Sequence, residues 1–415
     1  MSKTWMVAAI AALLVAGMGA TNKSYGQAFG VALQNNLMPA SGGMGGTSIA
    51  RPQDIQSALG GNPATLSQKE GTQFSFSGAW AEPTINFENR ETIAPANVEP
   101  FAPKSQRPGS IVGNIAATQD YSAKGLPVTL GIGLLTSSGL GVNYRDVVES
   151  NGTTAELVVL ATGVGAGVRL TDKLSVGLTG IVSTANLDGV FTGITAVTPN
   201  YNMRGLFGFT YDVTPETTVG GFWHTKEKHT FRDFVRIGGP SAPFQDVDLE
   251  FPNAYGLGVA NESLLGGRLL LAADFAYFAW SDADLFGAIW DDQFTFQTGA
   301  QFTTDRGCKF RFGYAYAENA SANVVAPTIG GVTPQAGVDY LQALFPNINE
   351  HRISGGLGFE LLPGLEMDLF AGGMFDATQN FQNSSVSAES YWIGFGSTWK
   401  FGRGGCNQCS IPTVW

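Results

Sequence analysis

The chain has 415 residues, with 23 lysines and arginines against 34 aspartates and glutamates, which gives a formal net charge of −11. An acidic chain lacks the basic surface that nucleic acids require, so we expect no nucleic-acid partner. Charged residues make up only 14% of the chain, against about 25% in soluble domains, while 55 residues are glycine and 28 are phenylalanine, so we expect a surface that does not face water.

Residues 1–26 have the order of charged, apolar and small residues that is typical of a secretory signal peptide. Lys3 precedes an apolar run from Met6 to Ala16, and small residues and then polar residues follow. The run is too short to cross a bilayer, so we predict a signal peptide cleaved after Gly26 or Ala28, rather than a membrane anchor. No later segment offers about 18 consecutive apolar residues, so no helical membrane span is expected.

Residues 27–70 show no alternation and are rich in Gly, Ala, Ser and Pro. Ile49, Ile55, Leu59 and Leu66 give the segment enough apolar residues to pack. Asn62-Pro63 predicts a turn just before the first strand. We predict that this segment is an N-terminal plug, or hatch, in the lumen of the barrel predicted below; a free linker is the alternative.

Residues 71–401 repeat with a period of two. In Gln293–Thr303, for example, phenylalanines at 294, 296 and 302 share one face, and glutamines at 293, 297 and 301 share the other. Successive side chains of a strand point to opposite faces, so this pattern predicts strands with one apolar and one polar or small face. About fourteen segments have it: 72–86, 109–118, 126–143, 155–170, 173–187, 202–212, 217–230, 246–261, 267–280, 293–304, 308–317, 350–361, 365–376 and 390–401.

The links between these segments alternate between short and long. Short links are 170–173, 212–217, 261–268, 304–308 and 361–366, and long links are 86–108, 144–155, 188–201, 230–245, 281–292, 318–349 and 376–389. This sorting predicts an all-β fold, a transmembrane antiparallel β-barrel of about 14 strands with periplasmic turns and outer loops, closed because lipid leaves no partner for a free sheet edge. A water-soluble sandwich is the alternative, but it would place charges on its outer faces.

Aromatic residues near strand ends would suit the girdles of the membrane interfaces, and ordinary packing is the alternative for each of them taken singly. They are Tyr144, Tyr201, Tyr211, Trp223, Trp280, Trp290, Trp392 and Trp399. Residues 402–415 form a tail with Cys406 and Cys409, which could pair locally, while Cys308 stands alone. No further ligands accompany the C-x-x-C, so we expect no metal and no cofactor.

Four stretches share a pattern with one known family. The first is GGMGGTSIARPQD, which leads into Asn62-Pro63-Ala64; the others are Arg204–Phe231, Lys309–Tyr316 (KFRFGYAY) and Phe345–Phe359 (FPNINEHRISGGLGF). In this order they resemble the turn, hairpin and strands of the FadL-type outer-membrane transporters of long-chain fatty acids, a family that also contains channels for toluene and related hydrocarbons. Two features depart from the family pattern: the tail after Phe401, and Arg51-Pro52-Gln53-Asp54 where an acidic run often stands.

The resemblance implies passive inward transport of hydrophobic molecules across the outer membrane. It implies an external apolar groove, a luminal pocket beside a movable plug, and release past the plug or through an opening in the wall. The implied partners are a hydrophobic small molecule, outer-membrane lipids and, during biogenesis, the barrel-assembly machinery. Asn62, Pro63 and Ala64 would anchor the plug, because proline restricts its own backbone and that of the preceding residue; a simple turn leading into the strand is the alternative.

Two groups of residues are candidates for ligand contacts. Apolar residues in the predicted outer loops would line the capture groove, because exposed apolar patches usually mark binding: Phe286, Ile289, Trp290, Leu341, Leu344 and Phe345. Lys309 and Arg311 lie on the polar face of their strand, where they would pair with a fatty-acid carboxylate or with luminal acids.

Two other functions compete with this one. A general diffusion porin would leave a water-filled lumen with charged constriction residues, whereas this lumen is predicted to carry Gly, Ala, Thr, Gln and a plug. An outer-membrane lipid hydrolase would need a serine beside a histidine, and His224, His229 and His351 have no serine elbow near them in sequence. We expect no enzyme activity and structural roles in the lumen for His229 and His351.

Overall fold

The computed structural model describes residues 35–93, 97–189, 198–235, 243–321 and 335–401. The predicted signal peptide and C-terminal tail lie outside these residues. The strands are β1 Thr72–Asn89, β2 Ser110–Asp120, β3 Val128–Asn143, β4 Thr154–Arg169, β5 Leu174–Gly189, β6 Thr198–Thr214, β7 Thr217–His224, β8 Glu227–Val235, β9 Gln245–Phe251, β10 Ala254–Leu264, β11 Leu269–Phe278, β12 Gln293–Thr303, β13 Lys309–Ala317, β14 His351–Leu362, β15 Leu365–Asn380 and β16 Ser384–Phe401. The helices are α1 Ile55–Gly60 and α2 Gln335–Leu344.

Fourteen of these strands close into one antiparallel barrel, which confirms the predicted fold class. The barrel closes where β1 pairs with β16 over their whole length, from Thr72 opposite Phe401 to Asn89 opposite Ser384. Closure leaves no edge strand with unpaired backbone groups, which is the condition for a sheet in lipid.

Two segments predicted as single strands are each divided in the structure. The segment 217–230 becomes β7 and β8, and 246–261 becomes β9 and β10. Pro252 has no N–H to donate to a ladder, so the chain leaves the sheet there. Strands β8 and β9 pair only with each other, as a hairpin outside the closed sheet, and the barrel therefore keeps fourteen strands.

One predicted long link is also wrong. Strand β15 continues to Asn380 and β16 begins at Ser384, so three residues join them instead of the predicted 376–389. These strands extend beyond the apolar stretch, where both faces become polar and the alternation that identified the strand disappears. The alternation of apolar and polar residues marks only the part of a strand that faces lipid, so it ends before the strand does.

The outward face of the barrel is apolar over its middle. Lipid-facing positions include Phe74, Ile111, Ile132, Leu160, Val182, Phe209, Leu257, Phe275, Phe296, Phe312, Leu357, Leu369 and Ile393. Tyr201, Tyr211, Trp223 and Trp399 are exposed on this surface as predicted for a girdle, but Tyr144, Trp280, Trp290 and Trp392 are buried inside. The girdle prediction failed for those four because nearness to a strand end does not decide on which side of the wall a ring lies.

The helices contribute little to the wall. Helix α1 lies inside the barrel and α2 at the long-loop end. No helix among the described parts of the chain is long and apolar enough to cross a membrane.

Candidate functional site

Residues 35–70, called the plug below, lie inside the barrel. A 3-10 turn at Ser41–Met44 lies against β12 to β15, α1 faces β1 to β4, and a second 3-10 turn at Pro63–Gln68 faces β3 to β6. Almost every plug residue from Met38 to Leu66 is buried. Residues 35–70 of the predicted plug segment thus occupy the lumen, and their apolar residues Ile55, Leu59 and Leu66 pack as one cluster with Ala116 of the wall.

The wall facing the plug is lined with glycine because the plug backbone approaches it closely. A Cβ atom at Gly220 would lie 2.7 Å from the backbone oxygen of Ile49, and one at Gly299 would lie 2.5 Å from that of Met44. Contact with the plug recurs at Gly131, Gly133, Gly163, Gly165, Gly167, Gly177, Gly208, Gly258, Gly313, Gly356 and Gly396. The small-residue face that the sequence shows is therefore the seat of the plug rather than the lining of an open pore.

Polar groups of the wall bind the plug backbone at several points. Asp274 Oδ2 of β11 accepts hydrogen bonds from the N–H groups of Ser48 (2.6 Å) and Ile49 (2.9 Å). His224 Nε2 of β7 donates to the carbonyl oxygen of Gly61 at 2.7 Å, and the Thr179 hydroxyl of β5 donates to that of Leu59 at 3.1 Å. Pairing these buried backbone groups avoids the free-energy cost of leaving them without a partner where no water reaches them.

The Asn62-Pro63-Ala64 turn is one of these attachment points. The Asn62 side-chain amide donates to the backbone oxygen of Ile49 at 2.7 Å and to that of Phe209 in β6 at 3.0 Å. Its Oδ1 accepts from the Ala64 N–H at 3.1 Å and so caps the following 3-10 turn, which begins at Pro63. Asn62 therefore joins the plug to itself and to the wall, whereas Pro63 and Ala64 contribute backbone shape and close packing.

The six apolar loop candidates come together at the long-loop end, and we call them the mouth cluster: Phe286, Ile289, Trp290, Leu341, Leu344 and Phe345. The rings of Phe286 and Trp290 are stacked with centroids 4.3 Å apart and an interplanar angle of 2°. Trp290 Nε1 donates to the backbone oxygen of Phe345 at 3.0 Å, which ties the loop after β11 to the end of α2.

The mouth cluster is a packed core and not the exposed groove that was predicted. Phe286 is 0% exposed and Trp290 1% exposed, and only Leu341 remains partly exposed. The prediction failed because the loops fold onto each other and bury their apolar residues, as the hydrophobic effect favours in water. Burial also raises the pKa of Tyr144 and Tyr340, which belong to the same core.

Lys309 and Arg311 lie far from the mouth cluster, at the short-turn end of β13. Arg311 is fully buried, and its guanidinium bonds Asp368 at 2.5 Å and Gln301 at 2.7 Å. Lys309 bonds Glu366, which also accepts from Lys400 at 2.6 Å. Both cations are thus engaged by luminal acids, the second of the two partners considered from the sequence, and they are not brought together with the other ligand candidates.

A buried polar cluster lies under the β8–β9 hairpin. His229 Nε2 is 3.4 Å from the Ser183 hydroxyl, and His229 Nδ1 is 3.1 Å from Asn200 Oδ1. Glu227 bonds both Ser183 and His229 and lies 3.3 Å from Arg204. Ser183 and His229 are both 0% exposed, so the cluster is a closed luminal network that holds the hairpin to the wall. His351, in contrast, is exposed on the outer face, where it bonds the Tyr314 hydroxyl at 2.8 Å; its predicted place in the lumen is wrong.

A small hollow remains between plug and wall. Its volume is about 40 Å³, and Ser48, Ile49, Phe222, His224 and Asp274 are among its lining residues. An apolar cavity that binds benzene has a volume of about 150 Å³. The hollow therefore holds no hydrocarbon ring unless the plug or a wall side chain moves.

Three solved structures with this fold are similar to the chain. They are the Pseudomonas putida toluene transporter TodX (15% identity, 89% of this chain and 100% of that chain, TM-score 0.65), the Ralstonia pickettii toluene transporter TbuX (17%, 89% and 99%, 0.61) and a Pseudomonas aeruginosa FadL homologue (13%, 91% and 100%, 0.61). No protein-family model and no curated protein sequence matches the chain. The resemblance to FadL-type channels is thereby confirmed for the fold, over nearly the whole length of each structure.

Sequence reasoning missed the wall residues that bind the plug. Asp274 stands alone as an acid in LLLAADFAYF, a strand whose other residues are apolar or small, and such an isolated acid on a luminal face was the available signal. His224 and Thr179 carried no comparable signal, because polar residues are common on the luminal face of every strand.

Proposed function

We propose that this chain is an outer-membrane channel of the FadL type, through which hydrophobic molecules diffuse inward without an energy source. The observation that carries the proposal is a barrel with a lipid-facing apolar belt whose lumen is filled by its own N-terminal segment on a seat of glycines. A general porin needs an open aqueous lumen. A lumen filled this closely favours a channel that opens only for a solute that can displace water and side chains.

The expected path has three parts. A solute enters at the long-loop end past the mouth cluster, which must loosen to admit it because its rings are buried. It then occupies the hollow beside Ser48 and Asp274, which must enlarge from about 40 Å³. The solute is then released in one of two ways: the plug moves and lets it pass the Asn62 attachment, or it leaves through the wall into the bilayer. Asn62, Pro63 and Ala64 remain the proposed anchor that stays fixed while the rest of the plug moves.

The charges around the hollow favour an uncharged hydrocarbon over a fatty-acid anion. Among the described lining residues, the acid is Asp274, and lysine and arginine are absent. Lys309 and Arg311 are already bound to acids. An anion placed beside Asp274 would find no lysine or arginine among the described lining residues to pair with, whereas a neutral ring needs no such partner.

Vesicles with lipopolysaccharide in the outer leaflet test this function, because that layer slows the direct entry of apolar solutes. Uptake of a labelled single-ring hydrocarbon, a labelled long-chain fatty acid and a small sugar is compared with protein-free vesicles. We expect accelerated uptake of the hydrocarbon and no flux of the sugar. Sugar flux without hydrophobic uptake would indicate a porin, and fatty acid released from the vesicle phospholipid would indicate a hydrolase acting through the cluster around Ser183 and His229.

A further inference from the structure

An apolar groove crosses the lipid-facing side of the wall at β6, β7, β10 and β11. Its volume is about 490 Å³, and every residue that lines it is aromatic, glycine or leucine. An apolar cavity of about 150 Å³ is enough to bind benzene. The groove therefore has room for a hydrocarbon much larger than one ring.

The groove exists because one position in a row of large outward side chains is glycine. Phe209 of β6 and Leu257 of β10 stand directly opposite Gly221 of β7, one on each side of it. Phe209 and Leu257 point outward and are 41% and 62% exposed. Gly221 faces outward as well, since a Cβ atom there would lie 2.6 Å from Cε1 of Phe209. The missing side chain leaves a floor of backbone between two raised sides.

Two stacked aromatic pairs border this floor. The rings of Phe207 and Trp223 have centroids 5.1 Å apart and an interplanar angle of 20°. The rings of Tyr255 and Tyr277 have centroids 6.5 Å apart and an angle of 28°. Phe275 of β11 also lines the groove. Stacked rings hold one another in place, so the sides of the groove are preformed.

The groove lies toward the long-loop end of the barrel. Trp223 is the next-to-last residue of β7, and its Nε1 donates to Asn253 Oδ1 at 3.3 Å. The Tyr277 hydroxyl donates to Asp292 Oδ2 at 2.5 Å. Both rings thus turn their polar atoms toward the outer loops and their apolar bodies toward lipid, as aromatic residues do at a membrane interface. The groove therefore faces the outer leaflet.

The wall behind the groove is closed. The ladders that join β6 to β7, β7 to β10 and β10 to β11 are continuous through the residues that line it. A molecule in the groove is consequently separated from the lumen and from the plug, and it reaches the groove only from the bilayer.

We propose that the groove binds one acyl chain of the lipopolysaccharide in the outer leaflet and so holds that lipid to the barrel. Water would find no charged partner on the lining residues, whereas a chain placed there packs against a floor and two sides. On the convex remainder of the belt a chain touches protein on one side only, and dispersion contacts add up with their number. The proposal concerns a bound membrane lipid and does not depend on the proposed transport function.

The charges near the groove favour recognition of the chain over recognition of the lipid phosphates. Lys226 and Lys228 follow Trp223 in the chain, and acids of the outer loops engage both. Lys226 Nζ lies 3.2 Å from Glu250, and Lys228 Nζ lies 2.8 Å from Asp284. We therefore expect binding that does not require the phosphates of lipid A.

Replacing Leu257 by tryptophan should fill the groove from its rim. Leu257 is 62% exposed, so a larger side chain there is free to lie over Gly221. The matched control is Leu357→Trp, the same change at a lipid-facing position of β14. Its cross-strand neighbours, Phe310 and Leu369, are both large and exposed, so no gap lies beside it.

Native mass spectrometry counts the lipids that each barrel retains. The proteins are reconstituted with phosphatidylethanolamine and rough lipopolysaccharide, which lacks the long sugar chain, and are then extracted into detergent. We expect the parent and Leu357→Trp to retain about one lipopolysaccharide, and Leu257→Trp to retain at least about tenfold less, a difference of about 1.4 kcal/mol. Removing the phosphates of lipid A should leave retention by the parent unchanged.

Equal retention in Leu257→Trp and the parent, or an equal loss in Leu357→Trp, would overturn the proposal. Retention of phosphatidylethanolamine in place of lipopolysaccharide, or loss of retention on dephosphorylation, would overturn it as well. A dimer in the spectrum would show that a second copy of the chain covers the groove instead. If Leu257→Trp fails to fold, as judged by heat-dependent gel migration, Phe275→Ala removes part of one side and should weaken retention in the same way.

Discussion

Replacing Asp274 by alanine should unseat the plug while the barrel stays folded. The carboxylate accepts two backbone N–H groups, from Ser48 at 2.6 Å and Ile49 at 2.9 Å, and is 3% exposed. A hydrogen bond to a charged group contributes about 1.5–3 kcal/mol. With the carboxylate ionised, removing both bonds and leaving two buried N–H groups unpaired should therefore cost the seated plug about 3–6 kcal/mol. Asp274→Asn keeps an acceptor oxygen and should cost less than half of that.

Hydrogen exchange of residues 41–70 measures this cost, because 1.4 kcal/mol corresponds to about a tenfold change in an opening equilibrium. Exchange in the plug should rise by about 100-fold or more in Asp274→Ala, with normal heat-dependent gel migration of the barrel. Asp212→Ala is the control, since the Asp212 carboxylate accepts from the Thr218 hydroxyl within the wall at 2.7 Å. Unchanged plug exchange in a folded barrel would refute the anchoring role of Asp274, and loss of the folded band would show that Asp274 supports the wall itself.

Three further predictions concern the seat, the mouth cluster and pH. Gly177→Val should displace the Asn-Pro-Ala turn, because a Cβ at Gly177 would overlap it. Gly180→Val, on the lipid-facing side of the same strand, has open space and should leave the plug in place. Protease sensitivity of the plug distinguishes the two variants. Trp290→Ala should cost the outer loops about 3–5 kcal/mol through loss of a buried ring, seen as faster exchange of α2, while Trp399→Ala, which removes a lipid-exposed ring, should leave α2 unchanged. Burial lowers the pKa of Lys69 to about 8 from its ordinary 10.5. Between these two pH values the displaced plug binds more protons than the seated plug, so the free energy that holds the plug seated should increase as the pH rises from 8 toward 10.5. A Lys69→Met variant whose plug exchange depends on pH in the same way would contradict this.

The sequence predicted the plug segment and the barrel with its strand number, but it misjudged residues whose surroundings depend on other loops. Phe294 and Phe296 face lipid as their alternation predicts, because a bilayer acts on each residue by its side of the strand. Phe286 and Trp290 were predicted as exposed and are buried, because the loops that cover them come from elsewhere in the chain.

The candidate site shows the same division. The Asn62 turn and the glycine face were visible in sequence because each depends on neighbours within a few positions. The partner of the Ser48 N–H was not visible, because Asp274 lies 226 residues away and any luminal acid would have matched the pattern equally well. The ion pairs of Lys309 and Arg311 depend in the same way on which strand lies beside β13.

The amino-acid sequence by itself determined that the chain forms a barrel with an apolar exterior and an interior of small residues. Strand alternation is a local property, because each residue faces either lipid or lumen according to its position in its own strand. The tertiary structure alone decided where the plug is fastened, which loop residues are buried, and where the outer face carries a groove. Those features arise from pairs of residues far apart in the chain, whose contact depends on the register and closure of the whole barrel.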